Sequence, residues 1–303
     1  MVTGNESINV KKRNDRGTEP LNIEKIHEMV EYACEDISGV SSSQVEMNSG
    51  LQFYDGMTTD EIQKILIKSA SDLISLDNPN YQYVAARLLL YSLRKQIFRR
   101  LWDHPHIYTH VKKCVDLGVY DSEILNWYDK KDFDRMENWV THERDYDFTY
   151  AGLRQVIDKY LVQDRSTGAV YETPQFMYML IAATVFHNYP KSTRLTYIKK
   201  YYRAISKHLI NIPTPVMAGV RTPLKQYASC VLVDSDDTLP SIFTSDMAIG
   251  RYVAQRAGIG INAGRIRGIN SRIRGGEVQH TGIIPFLKKF EATVKCCTQN
   301  GVR

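Results

Sequence analysis

Apolar residues in the first hundred positions recur mainly at helical spacing. Ile23, Ile26, Val30, Ala33 and Ile37 share one face of a predicted helix, with Asn22 as its N-cap. Thr58 and Glu61 have the spacing of a capping box ahead of Ile62, Ile65, Leu66 and Leu73. After the break at Asn78-Pro79-Asn80, a third helix carries Tyr83, Arg87, Leu90, Tyr91 and Arg94, and its basic end, Arg94-Lys95, suits a helix C-terminus. The pattern stays helical from about 101 to 220, most clearly over 150–160, 174–187 and 192–209. The most apolar stretch, Phe176 to Phe186, is too short to span a bilayer and is predicted to be a buried core helix.

The character changes at Ile212-Pro213-Thr214-Pro215, where two prolines stop helix continuation and predict extended geometry. Beyond it, 229–234 is predicted as a buried strand, 240–255 as a helix, 259–266 as extended and 283–296 as a helix. Strand, helix and strand in succession mark an α/β layer. The expected division is 1–100, 101–220 and 221–303. A sheet of only two or three strands would leave an unpaired edge, so the last part is expected to be incomplete.

At 303 residues and 43% hydrophobic, the chain can bury sizeable cores. The formal net charge is +5, and the cations are spread out apart from clusters such as Lys11-Lys12-Arg13 and Arg99-Arg100. A nucleic-acid stripe would concentrate them among aromatics, so no direct nucleic-acid partner is expected and small phosphorylated ligands fit the charge. Five scattered cysteines without a CxxC predict free thiols in a reducing compartment. With no secretory signal, a cytoplasmic protein without a membrane partner is expected.

Candidate chemistry falls in a few places. Lys11, Lys12 and Arg13, ahead of the helix N-terminus at Asn22, form a natural phosphate cradle, to which Lys95 can add charge; a solvated basic face is the alternative. The run Ala257-Gly258-Ile259-Gly260-Ile261-Asn262-Ala263-Gly264 resembles a dinucleotide fingerprint with imperfect spacing; close backbone approach to a ligand and a strand bend both remain open. His104, His106 and His110 lie close in sequence but lack an obvious fourth ligand, so no metal is expected. The vicinal Cys296-Cys297 pair is poorly suited to an internal bridge. Cys230, at the start of an apolar run, reads by itself as a small buried hydrophobe.

Several runs in order change that reading. Gln52-Phe53-Tyr54-Asp55-Gly56, Tyr81-Gln82-Tyr83, Pro213-Thr214-Pro215, Gly219-Val220-Arg221-Thr222-Pro223, Ser229-Cys230-Val231-Leu232, Gln255-Arg256-Ala257-Gly258-Ile259-Gly260 and Arg274-Gly275-Gly276-Glu277 resemble the N-terminal part of the large subunit of class I aerobic ribonucleotide reductases. That resemblance implies a mostly α N-terminal half, an ATP-cone plus a helical domain, followed by the first part of a ten-stranded α/β barrel. Val10, Lys12, Arg13, Glu19, Asn22, Lys25, Thr59 and Lys95 would line the ATP or dATP site. Two departures stand out: a turn one residue longer between Arg13 and Glu19, and Gln63 where members can carry His.

The resemblance further assigns Thr214, Ser229, Ala257 and Gly258 to the nucleotide substrate, and Asp237, Thr238, Leu239, Arg267 and Arg274 to the specificity effector. Cys297, Gln299 and Arg303 would belong to a loop that relays effector identity to the substrate. Cys230 matches the thiol that protonates the departing 2′ hydroxyl and ends in a disulfide. The implied partners are a chain carrying the rest of the large subunit, a small subunit whose di-iron site generates a tyrosyl radical, and thioredoxin or glutaredoxin as reductant. No cofactor is expected on this chain beyond ATP, dATP and dNTP effectors. A split subunit, as in phage reductases, is the leading expectation, and this chain alone is expected to be inactive. A stand-alone nucleotide-sensing regulator is the alternative, weakened by the missing CxxC.

Overall fold

Asn22 caps the first helix as its position predicts: its side chain accepts from the Lys25 amide at 2.9 Å, and α1 follows over Ile23–Cys34. The computed structural model describes residues 8–12, 17–50, 52–225 and 227–297. Ahead of α1, strands β1 (Asn9–Lys11) and β2 (Thr18–Pro20) pair antiparallel, with Val10 opposite Glu19. Ile26, Val30 and Ala33 are buried, but Ile23 is 72% exposed. Side chains tilt toward a helix's N-terminus, so that of the first residue projects off the end rather than onto the core.

Helix α2 (Ser42–Gly50) has no apolar stripe and buries only Val45 and Ser49, which is why the hydrophobic pattern does not signal it. The capping box forms as expected at α3 (Thr59–Asp72): the Glu61 amide donates to Thr58 Oγ1 at 3.1 Å, and the Thr58 amide donates to Glu61 Oε2 at 2.7 Å. The Lys11 amide donates a hydrogen bond to Met57 O at 2.8 Å, tying β1 to the start of α3. Helix α4 (Tyr81–Phe98) ends on the expected basic residues, with Arg94 of that pair buried. Its guanidinium donates to His142 O at 2.9 Å and to Tyr146 Oη at 3.1 Å, and lies 3.6 Å from Asp145.

Helices α5 (Ile107–Asp116), α6 (Glu123–Trp127) and α7 (Lys130–Glu137) follow, then a 3-10 turn over His142–Asp147. Helix α8 (Tyr150–Gln155) runs into a π-turn, Val156–Tyr160, and a small hairpin joins β3 (Gln163–Asp164) to β4 (Ala169–Val170). Helix α9 (Pro174–Val185) is buried from Pro174 to Thr184, as the apolar run predicts, and α10 (Arg194–Ser206) packs along it. Just before α9, Glu172 accepts from Arg221 Nε at 2.8 Å, from Tyr120 Oη at 2.7 Å and from the Val162 amide at 2.7 Å.

Contacts divide the chain into two units, one reaching to Ile212 and including Val220–Pro223, the other formed by Pro213–Gly219 and the residues from Leu224 onward. In the second, a short helix α11 (Thr214–Gly219) occupies the segment expected to be extended. A proline is tolerated in the first turn of a helix, where amides lack intrahelical partners anyway, so the two prolines end one helix and permit a new start.

The expected strand–helix–strand succession is present. Strand β5 (Cys230–Asp234) and β6 (Gly258–Asn262) pair in parallel around α12 (Leu239–Ala254), with Cys230 opposite Gly258 and Asp234 opposite Asn262. A second hairpin, β7 (Arg272–Ile273) with β8 (Val278–Gln279), precedes α13 (Ile284–Cys297). Ile242, Ile249, Val253, Ala263, Ile266 and Phe290 form the core of this unit. Gly250 lets α12 and α13 approach closely, since a Cβ there would lie 3.3 Å from the Thr293 methyl and 3.4 Å from Cys297 Sγ.

The expectation of a buried β5 is wrong. Its residues alternate between exposed and half-buried, and Leu232 is 87% exposed. A parallel strand reads as fully buried only when both faces are covered, and the hydrophobic core here packs on one face. Among the described residues this parallel sheet has two strands and does not close.

Candidate functional site

Three groups of candidate residues take shape. The first surrounds the start of α1. Lys12 pairs with Glu19 at 2.5 Å across the β1–β2 hairpin. That hydrogen bond, with the charges of Lys12 and Lys25, holds the Glu19 carboxyl below its ordinary range despite some desolvation. Lys25 lies one helical turn before Met29, whose Sδ is 3.9 Å from Lys95 Nζ on α4. The hairpin and α1 thus bring Lys12, Glu19 and Lys25 into one electrostatic neighbourhood beside the Asn22 cap, and Lys95 of α4 reaches α1 one turn further on. Thr59 opens α3, joined to the hairpin through Lys11 and Met57. Val10 of β1 is buried. Gln63 is also buried and donates to Leu88 O at 3.0 Å, which makes it a link between α3 and α4. Arg13 and the turn after it lie outside the described residues.

The second group lies at the start of the parallel strands. Cys230 is exposed, not buried, and its Sγ is 3.9 Å from Ser229 Oγ. The Gly258 amide donates to Ser229 O at 2.8 Å, drawing the two strand starts together. A Cβ at Gly258 would stand 3.7 Å from the Cys230 sulfur, so glycine keeps that side of the thiol open. Strand β6 takes up most of the glycine-rich run, and no helix begins directly after it as a dinucleotide fingerprint would need. Ala257 is buried beside this point, and Thr214 opens α11.

The third group lies at the opposite end of the same strands. Arg267 donates from its amide to Asp237 Oδ1 at 2.8 Å and from Nε to Oδ2 at 2.7 Å. The backbone bond, and then the guanidinium, hold the Asp237 carboxyl below its ordinary range. Thr238 caps α12 by accepting from the Ser241 amide at 3.2 Å, and exposed Leu239 is the first helical residue. Arg274 stands in the turn between β7 and β8. A pair that pattern reading missed, Arg265 with Asp234 at 3.1 Å, adds charge here. Four residue steps along β5 separate Cys230 from Asp234, roughly 13 Å. Cys297 ends α13 against Gly250 of α12, while Gln299 and Arg303 lie outside the described residues.

The three histidines do not converge. His106 caps α5 by accepting from the Tyr108 amide at 3.1 Å, His110 is buried 3.6 Å from Cys114 Sγ, and His104 stacks on His142 at 3.7 Å. No helix among the described residues is long and apolar enough to cross a membrane.

Comparison with known proteins matches this layout part by part. A model of the ATP cone domain covers residues 8–96, the all-alpha domain of ribonucleotide reductase covers 146–225, and the barrel domain of the same enzyme covers 228–303. Together they define the class as ribonucleotide reductase. The chain belongs to the class I large-subunit family and corresponds to the N-terminal part of that subunit: ATP cone, all-alpha domain and the start of the barrel. It is 52% identical to ribonucleoside-diphosphate reductase 1 subunit alpha of Salmonella typhimurium and 50% identical to that of Escherichia coli, each over 299 residues. Those matches cover 99% of this chain and 39% of each relative. The subunit alpha of Enterobacteria phage T4 is 44% identical over 282 residues, 92% of this chain and 37% of its own length.

Proposed function

We propose that this chain serves in the reduction of ribonucleoside diphosphates to deoxyribonucleoside diphosphates, with Cys230 as one thiol of the redox pair. The observation that carries this reading is the exposed Cys230 sulfur beside Gly258 at one end of the β5–β6 ladder, with the Asp237–Arg267 pair at the other. A nucleotide diphosphate lies along Thr214, Ser229, Ala257 and Gly258. Cys230 donates a proton to the departing 2′ hydroxyl, which leaves as water, and two thiols become a disulfide that thioredoxin or glutaredoxin reduces. The partner thiol and the thiyl cysteine that takes and returns the 3′ hydrogen come from the remaining barrel strands, on this polypeptide or on another. A small subunit generates the radical.

Regulation uses the other two groups. A dNTP effector at Asp237, Thr238, Leu239, Arg267 and Arg274 engages the N-terminus of α12, a favourable place for phosphate. The loop of Cys297, Gln299 and Arg303 carries its identity toward the substrate. ATP or dATP binds at Lys12, Arg13, Glu19, Asn22, Lys25, Thr59 and Lys95, with Val10 contributing backbone.

The test is reconstitution with a polypeptide carrying the rest of the barrel, the small subunit and a dithiol reductant. The full mixture should reduce nucleoside diphosphates, the chain alone should not, and Cys230→Ser should abolish turnover while nucleotide binding persists. Full turnover by Cys230→Ser would overturn the assignment.

A further inference from the structure

Between Glu172 and Asp234 the sequence contains no acidic residue, although six cations fall from Lys191 to Lys207 alone. Linear spacing makes them look dispersed, but helix α10 gathers them. Arg194, Ile198, Tyr202, Ile205 and Ser206 turn inward, and Arg194 is spent in a buried contact with Asp132 at 3.0 Å. The opposite face, at 3.6 residues per turn, brings Lys200, Arg203 and Lys207 onto one outward ridge roughly 10 Å long. No carboxylate pairs with these three among the described residues.

Aromatic rings flank the ridge on both sides. Tyr197, 43% exposed, stacks on Phe186 at 5.7 Å with an 18° tilt and meets Tyr189, 44% exposed, edge-on at 5.1 Å. On the other side, Lys199 lies over the Trp139 ring at 5.4 Å. A row of unpaired cations beside open ring faces suits a ligand with repeated anions and exposed π-systems. We propose that this face of α10 binds single-stranded nucleic acid, with phosphates on Lys200, Arg203 and Lys207 and bases against Tyr197 and Tyr189. A duplex hides its base faces, and an acidic polypeptide would use the ridge but leave the rings idle.

The test uses the full chain and fluorescent oligo(dT) and oligo(rU) of equal length, with anisotropy followed across a salt series. Both or either should bind at about 50 mM salt, and the two arms tell DNA from RNA. The triple variant Lys200→Gln, Arg203→Gln, Lys207→Gln should flatten the log–log salt slope by about 2, since each contacted phosphate contributes about 0.7 for single strands. Tyr197→Ala should weaken binding roughly tenfold without changing that slope, and Tyr197→Phe should restore it. Lys64→Gln, Lys68→Gln, Arg154→Gln should alter neither quantity. Unchanged melting temperatures establish that the variants are folded. No binding of either oligonucleotide at low salt overturns the proposal. An equal loss in the control triple overturns it in favour of diffuse charge. Competition by polyglutamate as strong as by oligonucleotide, with Tyr197→Ala silent, overturns it in favour of an acidic protein.

Discussion

Two arginine–carboxylate pairs, similar in bond length, differ in what surrounds them. Glu172 and Arg221 have no exposed side-chain surface, and the carboxylate is fully occupied by Arg221, Tyr120 and the Val162 amide. Asp237 and Arg267 retain 30% and 38% of their side-chain exposure at the start of α12. The first pair cannot exchange a partner for a ligand without opening the core. It fastens Arg221, within the Gly219-Val220-Arg221-Thr222-Pro223 run, to the all-alpha part of the chain, and Asp121 adds a backbone bond to Arg221 O at 2.9 Å. The second pair stands in water, where an anion can compete for Arg267. Burial, more than bond length, separates a structural pair from an addressable one.

The largest effect that sharpens this contrast is Glu172→Gln. Losing one member of a buried pair leaves an uncompensated charge in the core, at a cost of about 3–5 kcal/mol. Thermal unfolding should shift down by about 10 °C for a unit of this size. Asp237→Asn should leave the melting temperature unchanged and, in the reconstituted enzyme, blunt the response to effector nucleotides. Equal melting temperatures for the two variants would break the comparison.

Buried and exposed histidines make the same contrast through pH. Burial lowers His142 to about 3 and both His104 and His110 to about 4, with Arg94 adding to the effect in His142 and His104. Exposed His27 is instead raised, chiefly by its bond to Glu46. Between about pH 6.5 and 4 these three buried histidines take up protons only when unfolded, so stability rises with pH by at most about 1.4 kcal/mol per unit from each. Asp145 opposes them. Burial pushes it up to about 7 against Arg94, so its contribution is full below its unfolded value near 3.8 and is lost as pH rises through 7. Stability should therefore climb from pH 4 to 6.5 with about two histidines' slope, then flatten or fall. His142→Phe should remove about half of that climb in pH-dependent urea unfolding; an unaltered profile would place the acid sensitivity elsewhere.

Features that depend on near neighbours were legible in the sequence. Asn22, the Thr58–Glu61 box, the apolar run of α9 and the β5–α12–β6 succession are all written within a few residues of where they act. Features set by distant partners were not. Nothing around Arg94 announces that it turns inward to His142 and Asp145, and Glu172 looks like an ordinary loop acid until Arg221 arrives 49 positions later. The exposure of β5 depends on what covers the sheet, which no local pattern records. Candidate residues around the start of α1 partly followed from charge and capping. Asp237 with Arg267, by contrast, came only through family resemblance, because their meeting depends on chain geometry across 30 residues.

The smallest expected change in stability is the most informative about Cys230. Gly258 has no left-handed backbone requirement, and an added methyl would sit 3.5 Å from Ser229 O and 3.7 Å from Cys230 Sγ, ordinary contact distances. Gly258→Ala should therefore fold with an unchanged melting temperature. The methyl would nevertheless stand on the side of the thiol that glycine leaves open, so Cys230 should react more slowly with a bulky disulfide reagent, scored in a variant whose other four cysteines are replaced by serine. Substrate at the same place should suffer likewise, lowering turnover in the reconstituted enzyme in step with the thiol rate. If thiol reactivity falls and turnover does not, Gly258 guards the sulfur without touching the nucleotide. If neither changes, the approach to Cys230 lies over Ser229 instead, and the β6 side of the ladder is scaffold only.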